Sequence, residues 1–525
     1  MKNTNLLLSG LLLVGATIPT VQANASEDEN EQNSRKNILF IAVDDLKPLL
    51  GCYGNPIVKT PHIDRLASQG TLFTNAYCQQ AVSGPTRASL LTGMCPDHTR
   101  VWDLKTLIRS QNPDVVTLPQ HFKNNGYVVA GIGKIYDPRS VDKSSDEISW
   151  SVPYIDSEGY MNKNYEKPVM AQYQDRETRT LYQKYLAEAE SQGLKKRKAE
   201  VYIQKYIKPT VESADVPDDA YFDGGTANGA VRFLNDYNEN KPFFLAVGFK
   251  KPHLPFCAPA KYWELYNRAD IPLAEYRQKA VGSPELAYHK CGELMSYTDI
   301  PPLASFSDIK NVELPDEKAR ELIHGYYACI SYMDAQVGKV LDALREKGLE
   351  KNTIIVFWGD HGWHLGDHGL WNKHTNFEHA THVPMLIVEP SSPGKKVDVP
   401  VEFLDIYPTL CELAGLERLP QLEGESLVPV ITGKNAGNTR ASYAVSQFPR
   451  GKSMGYSIRD TRYRYTVWVD WTNKVTNSDK IVAEELYDYQ KDPNETINVV
   501  KDATYKAALE QMKAYWSDYC KRRIN

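Results

Sequence analysis

Four short apolar runs in this chain end on residues whose types suit catalysis. Asp44 and Asp45 follow NILFIAV, Asp360 and His361 follow TIIVFWG, Lys134 follows VVAGIG, and His253 follows FFLAVGFKKP. One polar residue in such a place is usually a turn former, and the Asp44–Asp45 pair alone reads equally well as a helix N-cap. Four runs ending this way predict one active-site floor, because ligands of open α/β sheets bind at the carboxyl ends of the strands. Paired carboxylates with further oxygen and nitrogen donors suit a hard divalent cation. Asp44, Asp45 and Asp360 favour calcium or magnesium over zinc, while His361 keeps transition metals open.

A fifth segment, SGPTRASLLTG from Ser83, reads as a helix start. Pro85 stands where a first helical turn tolerates proline. Ser83 then sits at a helix N-terminus, where backbone N–H groups and the dipole favour an anion. Arg87, one turn along, can offer a planar fork to the same oxygens. The plainer alternative is a capping serine followed by a surface arginine.

The elements that must position these residues are legible as apolar runs. Strands are expected at Ile38–Val43, Val128–Ile132, Phe243–Val247, Ile354–Phe357 and Pro384–Val388. Each is nearly continuous in apolar residues, as for strands buried on both faces of a mostly parallel sheet. Helical patterns such as Thr60–Gln69 and Ala328–Lys347 separate them, which predicts an α/β sandwich. The Tyr-, Lys- and Glu-rich insertion from about 142 to 219 contains a Thr180–Lys208 part that reads as packing helices. From about 436 to 525 the texture changes. Tyr443–Val445, Gly455–Arg459 and Tyr463–Val469 alternate like half-exposed antiparallel strands, and Ala503–Tyr519 reads as a helix. The expected division is therefore a catalytic domain over 38–435 and a smaller α+β subdomain over 436–525.

Composition narrows the setting. The 525 residues are 42% hydrophobic with mean hydropathy -0.48, as in a soluble globular protein. A net charge of -5 argues against nucleic acid or a membrane surface as partner, so an anionic substrate must be met by local cations. Lys2, an interrupted apolar run from Leu6 to Val21 and the small residues Ala23 and Ala25 form an export signal over 1–25, too short and broken to span a bilayer. Residues 26–37 read as a flexible leader, and the expected location is periplasmic or secreted. Eight scattered cysteines without a C-x-x-C pair form neither a disulfide scaffold nor a structural zinc site.

The Ser83 segment resembles the C/S-x-P-x-R signature of type I sulfatases, enzymes of the alkaline-phosphatase-like fold. The resemblance runs from about Asn37 to Val500. It favours the iduronate-2-sulfatase branch through LTGMCPDHTRVWDL, GFKKPHLPF, DHGWHLGDHGLWNKHTNFEHATHVPM and MGYSIRDTRYRYTVWV. In that family the Cys or Ser is oxidised to formylglycine, whose hydrate attacks sulfur. Carried over by motif, Asp44, Asp45, Asp360 and His361 bind calcium with the modified Ser83. Arg87 stabilises the hydrate, Lys134 and Lys373 hold the sulfate oxygens, and His253 protonates the leaving alkoxide. A serine nucleophile implies a radical, anaerobic-type maturase as transient partner, hence a bacterial origin.

One departure stands out. The family places a histidine shortly after its Gly-Lys strand end, and here the stretch reads Gly133-Lys134-Ile135-Tyr136-Asp137. Asp137, or else His364 or His374, is expected to take over. The resemblance further implies exo-acting removal of a uronate 2-O-sulfate from glycosaminoglycan oligosaccharides, with iduronate or its 4,5-unsaturated form at the end of the chain. The uronate carboxylate then needs another cation, for which Arg100, in the loop after the nucleophile helix, is the choice beside a plain surface role. Rival readings are a sulfatase for another sugar, a phosphatase or phosphodiesterase of the same superfamily, and a sugar-binding protein that has lost catalysis.

Overall fold

The computed structural model describes residues 35–301, 314–433 and 442–524. The export signal, most of the leader and the expected boundary near 435 lie outside them. The central sheet has eight strands: β1 (Asn37–Val43), β2 (Thr71–Tyr77), β3 (Val128–Gly133), β4 (Phe243–Phe249), β5 (Thr353–Gly359), β6 (His382–Val388), β7 (Lys395–Val397) and β8 (Val401–Glu402). Their order is β7-β2-β6-β5-β1-β4-β3, with β8 also paired to β2. The pairs of β1 with β4 and β5, of β3 with β4, and of β2 with β7 and β8 are parallel. Strand β6 alone runs against its neighbours, β5 and β2. The sheet is thus mostly parallel, as expected.

The continuous apolar runs have a simple cause. Along β1, Leu39, Ile41 and Val43 face one core while Ile38, Phe40 and Ala42 face another. Helices α1 (Pro61–Gln69), α3 (Phe222–Asp236) and α4 (Asp316–Glu346) cover the first face, and α2 (Ser83–Thr92) lies on the second. Each buried Leu, Ile or Phe contributes about 1.5–3 kcal/mol, so burial on both faces fixes the register of the strands that end at the site.

A second sheet of antiparallel strands β9 (Ala444–Arg450), β10 (Ser453–Arg459), β11 (Tyr463–Asp470) and β12 (Asn477–Asp488) forms the C-terminal subdomain. Helix α5 (Lys506–Arg523) covers it with Met512, Trp516 and Tyr519. Among the described residues no helix is long and apolar enough to cross a membrane.

Candidate active site

The carboxyl ends of β1, β3, β4 and β5 converge. At the end of β1 the Asp44 N–H donates to Phe249 O (3.1 Å), and the Asp360 N–H donates to Val43 O (2.9 Å). Asp45 adopts the left-handed conformation (φ 58°), uncommon outside glycine but tolerated by aspartate and asparagine. Its N–H donates to Asp360 Oδ1 (2.9 Å). The turn therefore holds three carboxylates together against their mutual repulsion.

Ser83 is the first residue of α2, and its hydroxyl caps nothing. It donates to Asp44 Oδ1 (3.0 Å) and meets His361 Nε2 (3.1 Å). Arg87, far from lying on the surface, is fully buried. Its Nε donates to Asp360 Oδ2 (2.9 Å), its Nη2 to Asp44 Oδ1 (3.3 Å) and its Nη1 to Ile135 O (3.0 Å), with the Trp358 ring 5.4 Å away. Burial works against its charge, but Asp360 and then Asp44 raise its pKa. The capping-serine alternative thus fails at both residues.

Lys134 Nζ lies 2.6 Å from Asp44 Oδ2. Its position depends on a close approach of β3 to β4. Gly133 sits at φ 77°, and a Cβ there would lie 2.0 Å from Gly248 O, which also accepts from the Lys134 N–H (2.8 Å). Burial alone would raise the Asp44 pKa. Lys134, His253 and Arg87 outweigh it and hold the carboxyl well below its ordinary range.

On the opposite side Lys373 Nζ is 2.9 Å from Asp45 Oδ2 and 3.2 Å from Glu293 Oε2, above the Trp363 ring at 4.7 Å. His253 Nδ1 donates to Leu254 O (2.6 Å), which directs Nε2 toward Glu293 (3.4 Å), Lys373 (3.5 Å) and Asp45 (3.7 Å). Burial, then Lys373, depress the His253 pKa to about 4. The Asp45 pKa goes the other way, raised well above the usual range. Burial is the main cause; Lys373 opposes it, and the charges of Asp44, Glu293 and Asp360 add to the rise. Ligand atoms of Asp45, Asp360 and His361 lie within 4.8 Å of one another. A buried carboxylate cluster too negative for its own lysines fits a divalent cation, and all its donors are hard or borderline.

Comparison with known proteins agrees with this geometry. The family model described as Sulfatase matches residues 36–416.

The chain belongs to the sulfatase family.

A second model, N-sulphoglucosamine sulphohydrolase, C-terminal, matches residues 366–521 of this sulfatase. The chain is 33% identical to iduronate 2-sulfatase of Mus musculus, over 96% of its own length and 98% of the relative's. It is 26% identical to Delta 4,5-hexuronate-2-O-sulfatase of Bacteroides thetaiotaomicron, covering 98% and 92%. A solved structure described as a 2-O GAG sulfatase superposes with a TM-score of 0.65 at 25% identity, covering 93% of this chain and 92% of that one.

The remaining expected residues of the sulfatase are placed less uniformly. Asp137 does not reach the Ser83 hydroxyl; its two oxygens accept from Arg139 Nε (2.9 Å) and Nη2 (2.7 Å), and Lys134 is 3.9 Å away. Burial would raise its pKa, but Arg139 and Lys134 hold it down. His364 meets Thr375 Oγ1 (2.8 Å), and His374 packs at 5.7 Å on His289. None of the three stand-ins for the missing histidine bonds Ser83. Arg100 lies apart from the others. It takes a left-handed conformation at the end of a short helix and lines a cavity of about 570 Å³ with Asp97, Trp102 and Lys474. The cavity beside Asp44, Lys134 and His253 is a different one, of about 590 Å³, and Arg100 is absent from its lining. Glu293 was not foreseen. It lies in an irregular stretch without motif or periodicity, and only its contacts reveal it.

Proposed function

We propose that this sulfatase removes the 2-O-sulfate from the terminal uronic acid, iduronate or its 4,5-unsaturated form, of heparan- or chondroitin-type glycosaminoglycan oligosaccharides. The observation that carries the chemistry is the Ser83 hydroxyl, buried and uncapped at a helix N-terminus between Asp44 and His361. The regiochemistry is supported by end-to-end similarity to an iduronate 2-sulfatase and a hexuronate 2-O-sulfatase.

In this reading Ser83 is converted by a radical-type maturase to formylglycine, which as its hydrate supplies the nucleophile. Asp44, Asp45, Asp360 and His361, with the modified residue, would hold one calcium ion, whose charge helps to neutralise sulfate. Arg87 stabilises the nucleophile. Lys134 and Lys373 lie on opposite sides of the carboxylate cluster and bind the sulfate oxygens. His253, with Nε2 turned toward the cluster, protonates the leaving sugar alkoxide. Positioning and charge neutralisation provide most of the acceleration, as in phosphoryl transfer. An exported enzyme, periplasmic or secreted, would meet such oligosaccharides directly.

The test is sulfate release from disaccharides sulfated singly at the uronate 2-position or at the hexosamine N-, 4- or 6-position, using matured enzyme. Cleavage confined to the uronate position is expected. Preferential cleavage at a hexosamine position would refute the substrate and leave the sulfatase standing. Chelation should abolish turnover and calcium restore it; restoration by zinc alone would contradict the ligand assignment.

A further inference from the structure

The cavity beside the site carries cations that sulfate binding does not use. Its 590 Å³ suits a small ligand. Asp44, Lys134 and His253 contribute to its lining, and so do Arg139 and Lys250. These last two differ from the other basic residues nearby. Lys251 is committed to the fold, its ammonium donating to Pro255 O, His253 O (3.2 Å) and Gln172 Oε1 (3.2 Å). Lys250 forms no ion pair among the described residues, and its ammonium rests 4.9 Å from the Phe222 ring. Arg139 uses Nε and Nη2 on Asp137, which fixes the plane of the guanidinium. Its Nη1 has no protein acceptor among the described residues, and over half of the side chain is exposed (55%).

We propose that Arg139 and Lys250 form a subsite for a second anionic group, a carboxylate on the same sugar ring that carries the sulfate. The inference rests on the uronate 2-O-sulfatase reading and supplies the cation that Arg100 does not. A uronate carboxylate and a 2-O-sulfate lie across a single sugar ring from each other, so their sites must be neighbours. Lys134 and Asp44 are close enough for their charges to act on Lys250, and Asp44 also acts on Arg139. Burial is the main cause that lowers the Lys250 pKa, and Asp223, whose carboxylate accepts from the Lys250 N–H (2.9 Å), offsets it only in part. A carboxylate would provide the rest of the counter-charge, and the remaining edge of Arg139 matches carboxylate geometry. Asp137, standing where the family has a histidine, then acts as a positioning residue that holds Arg139 over the cavity.

The experiment compares two substrates on matured enzyme: a 4,5-unsaturated uronate 2-O-sulfate linked to N-acetylhexosamine, and the same disaccharide with its carboxyl reduced to hydroxymethyl. The hexosamine carries no sulfate, so the carboxylate is the second anion. Wild type should prefer the uronate in kcat/KM. Lys250→Met, which keeps the stem, and Arg139→Gln should each raise KM for the uronate about tenfold, the scale of one lost charge-assisted hydrogen bond. Each should also largely erase the preference, and Lys250→Arg should retain it. Thermal melting checks that the variants fold. Equal losses on both substrates, or an intact preference in both variants, would overturn the subsite. Turnover of an aryl sulfate without any cleavage of the uronate would overturn the substrate reading and the subsite together.

Discussion

His253 shows how one residue's environment shapes its chemistry. Burial and Lys373 hold its pKa near 4, so the resting imidazole is mostly neutral at pH 7. An acid catalyst must carry its proton, and the protonated fraction shrinks as pH rises through the pKa. The kcat/KM profile should therefore fall from weakly acidic toward neutral pH, and His253→Gln should flatten that limb while lowering the rate about 10²- to 10⁴-fold. An unchanged profile in the variant would assign the proton to another group. The residues at strand ends were legible in the sequence, because an apolar run that stops on a polar residue announces both the strand and the side chain at its end. Glu293 and the Arg139–Asp137 pair were not. Their partners come from distant or irregular segments, and no local pattern encodes those contacts. The place of Arg100 was hidden for a related reason, since proximity along the chain to α2 says nothing of the left-handed turn at Arg100 or of the separate cavity it lines.

Among the elements, the junction of β3 and β4 is the sharpest constraint. Gly133→Ala would put a methyl carbon 2.0 Å from Gly248 O at φ 77°. The backbone conformation alone costs roughly 1–3 kcal/mol, and the clash must add to it by parting the strands. Lower melting temperature and lower kcat/KM together are expected, since Lys134 is the next residue; a variant with native stability and rate would show that the strands tolerate the shift. Five of the central strands were visible as doubly buried apolar runs. Strand β2 escaped because TLFTNAY mixes polar with apolar residues and is only partly buried. Strand β12 escaped because its first half is exposed and charged. The reversed direction of β6 is a property of pairing, and its apolar run looks like those of the strands that pair in parallel.

At the scale of the whole molecule, the C-terminal sheet braces the loop that carries Lys373. Asn376 Nδ2 donates to Gly455 O (3.1 Å), and Arg450 Nη2 donates to His374 O (2.6 Å). The buried Arg464 of β11 donates to Asn376 O (2.9 Å), pairs with Glu378, and lies 3.1 Å from Glu495. Burial pushes the Glu495 pKa to about 7 even with Arg464 present. Arg464→Met would leave the buried Glu495 without its arginine and half-buried Glu378 with Arg459 alone (3.5 Å), a loss of about 3–5 kcal/mol visible in thermal melting, and would raise KM by loosening Lys373. A stable variant with normal KM would deny the subdomain this bracing role. The change of texture after Gly433 announced the subdomain, while its contacts with the active-site loop could be read only from the structure.

The proposed chemistry stands or falls on Ser83 acting, in oxidised form, as the nucleophile. The direct measurement is the mass of the tryptic peptide carrying Ser83, from enzyme made with graded amounts of a serine-type maturase, set against sulfate release by the same samples. The expected result is a peptide lighter by about two hydrogens, activity proportional to the modified fraction, and none from the unmodified serine. Full sulfate release from protein whose Ser83 peptide has the plain serine mass would contradict it.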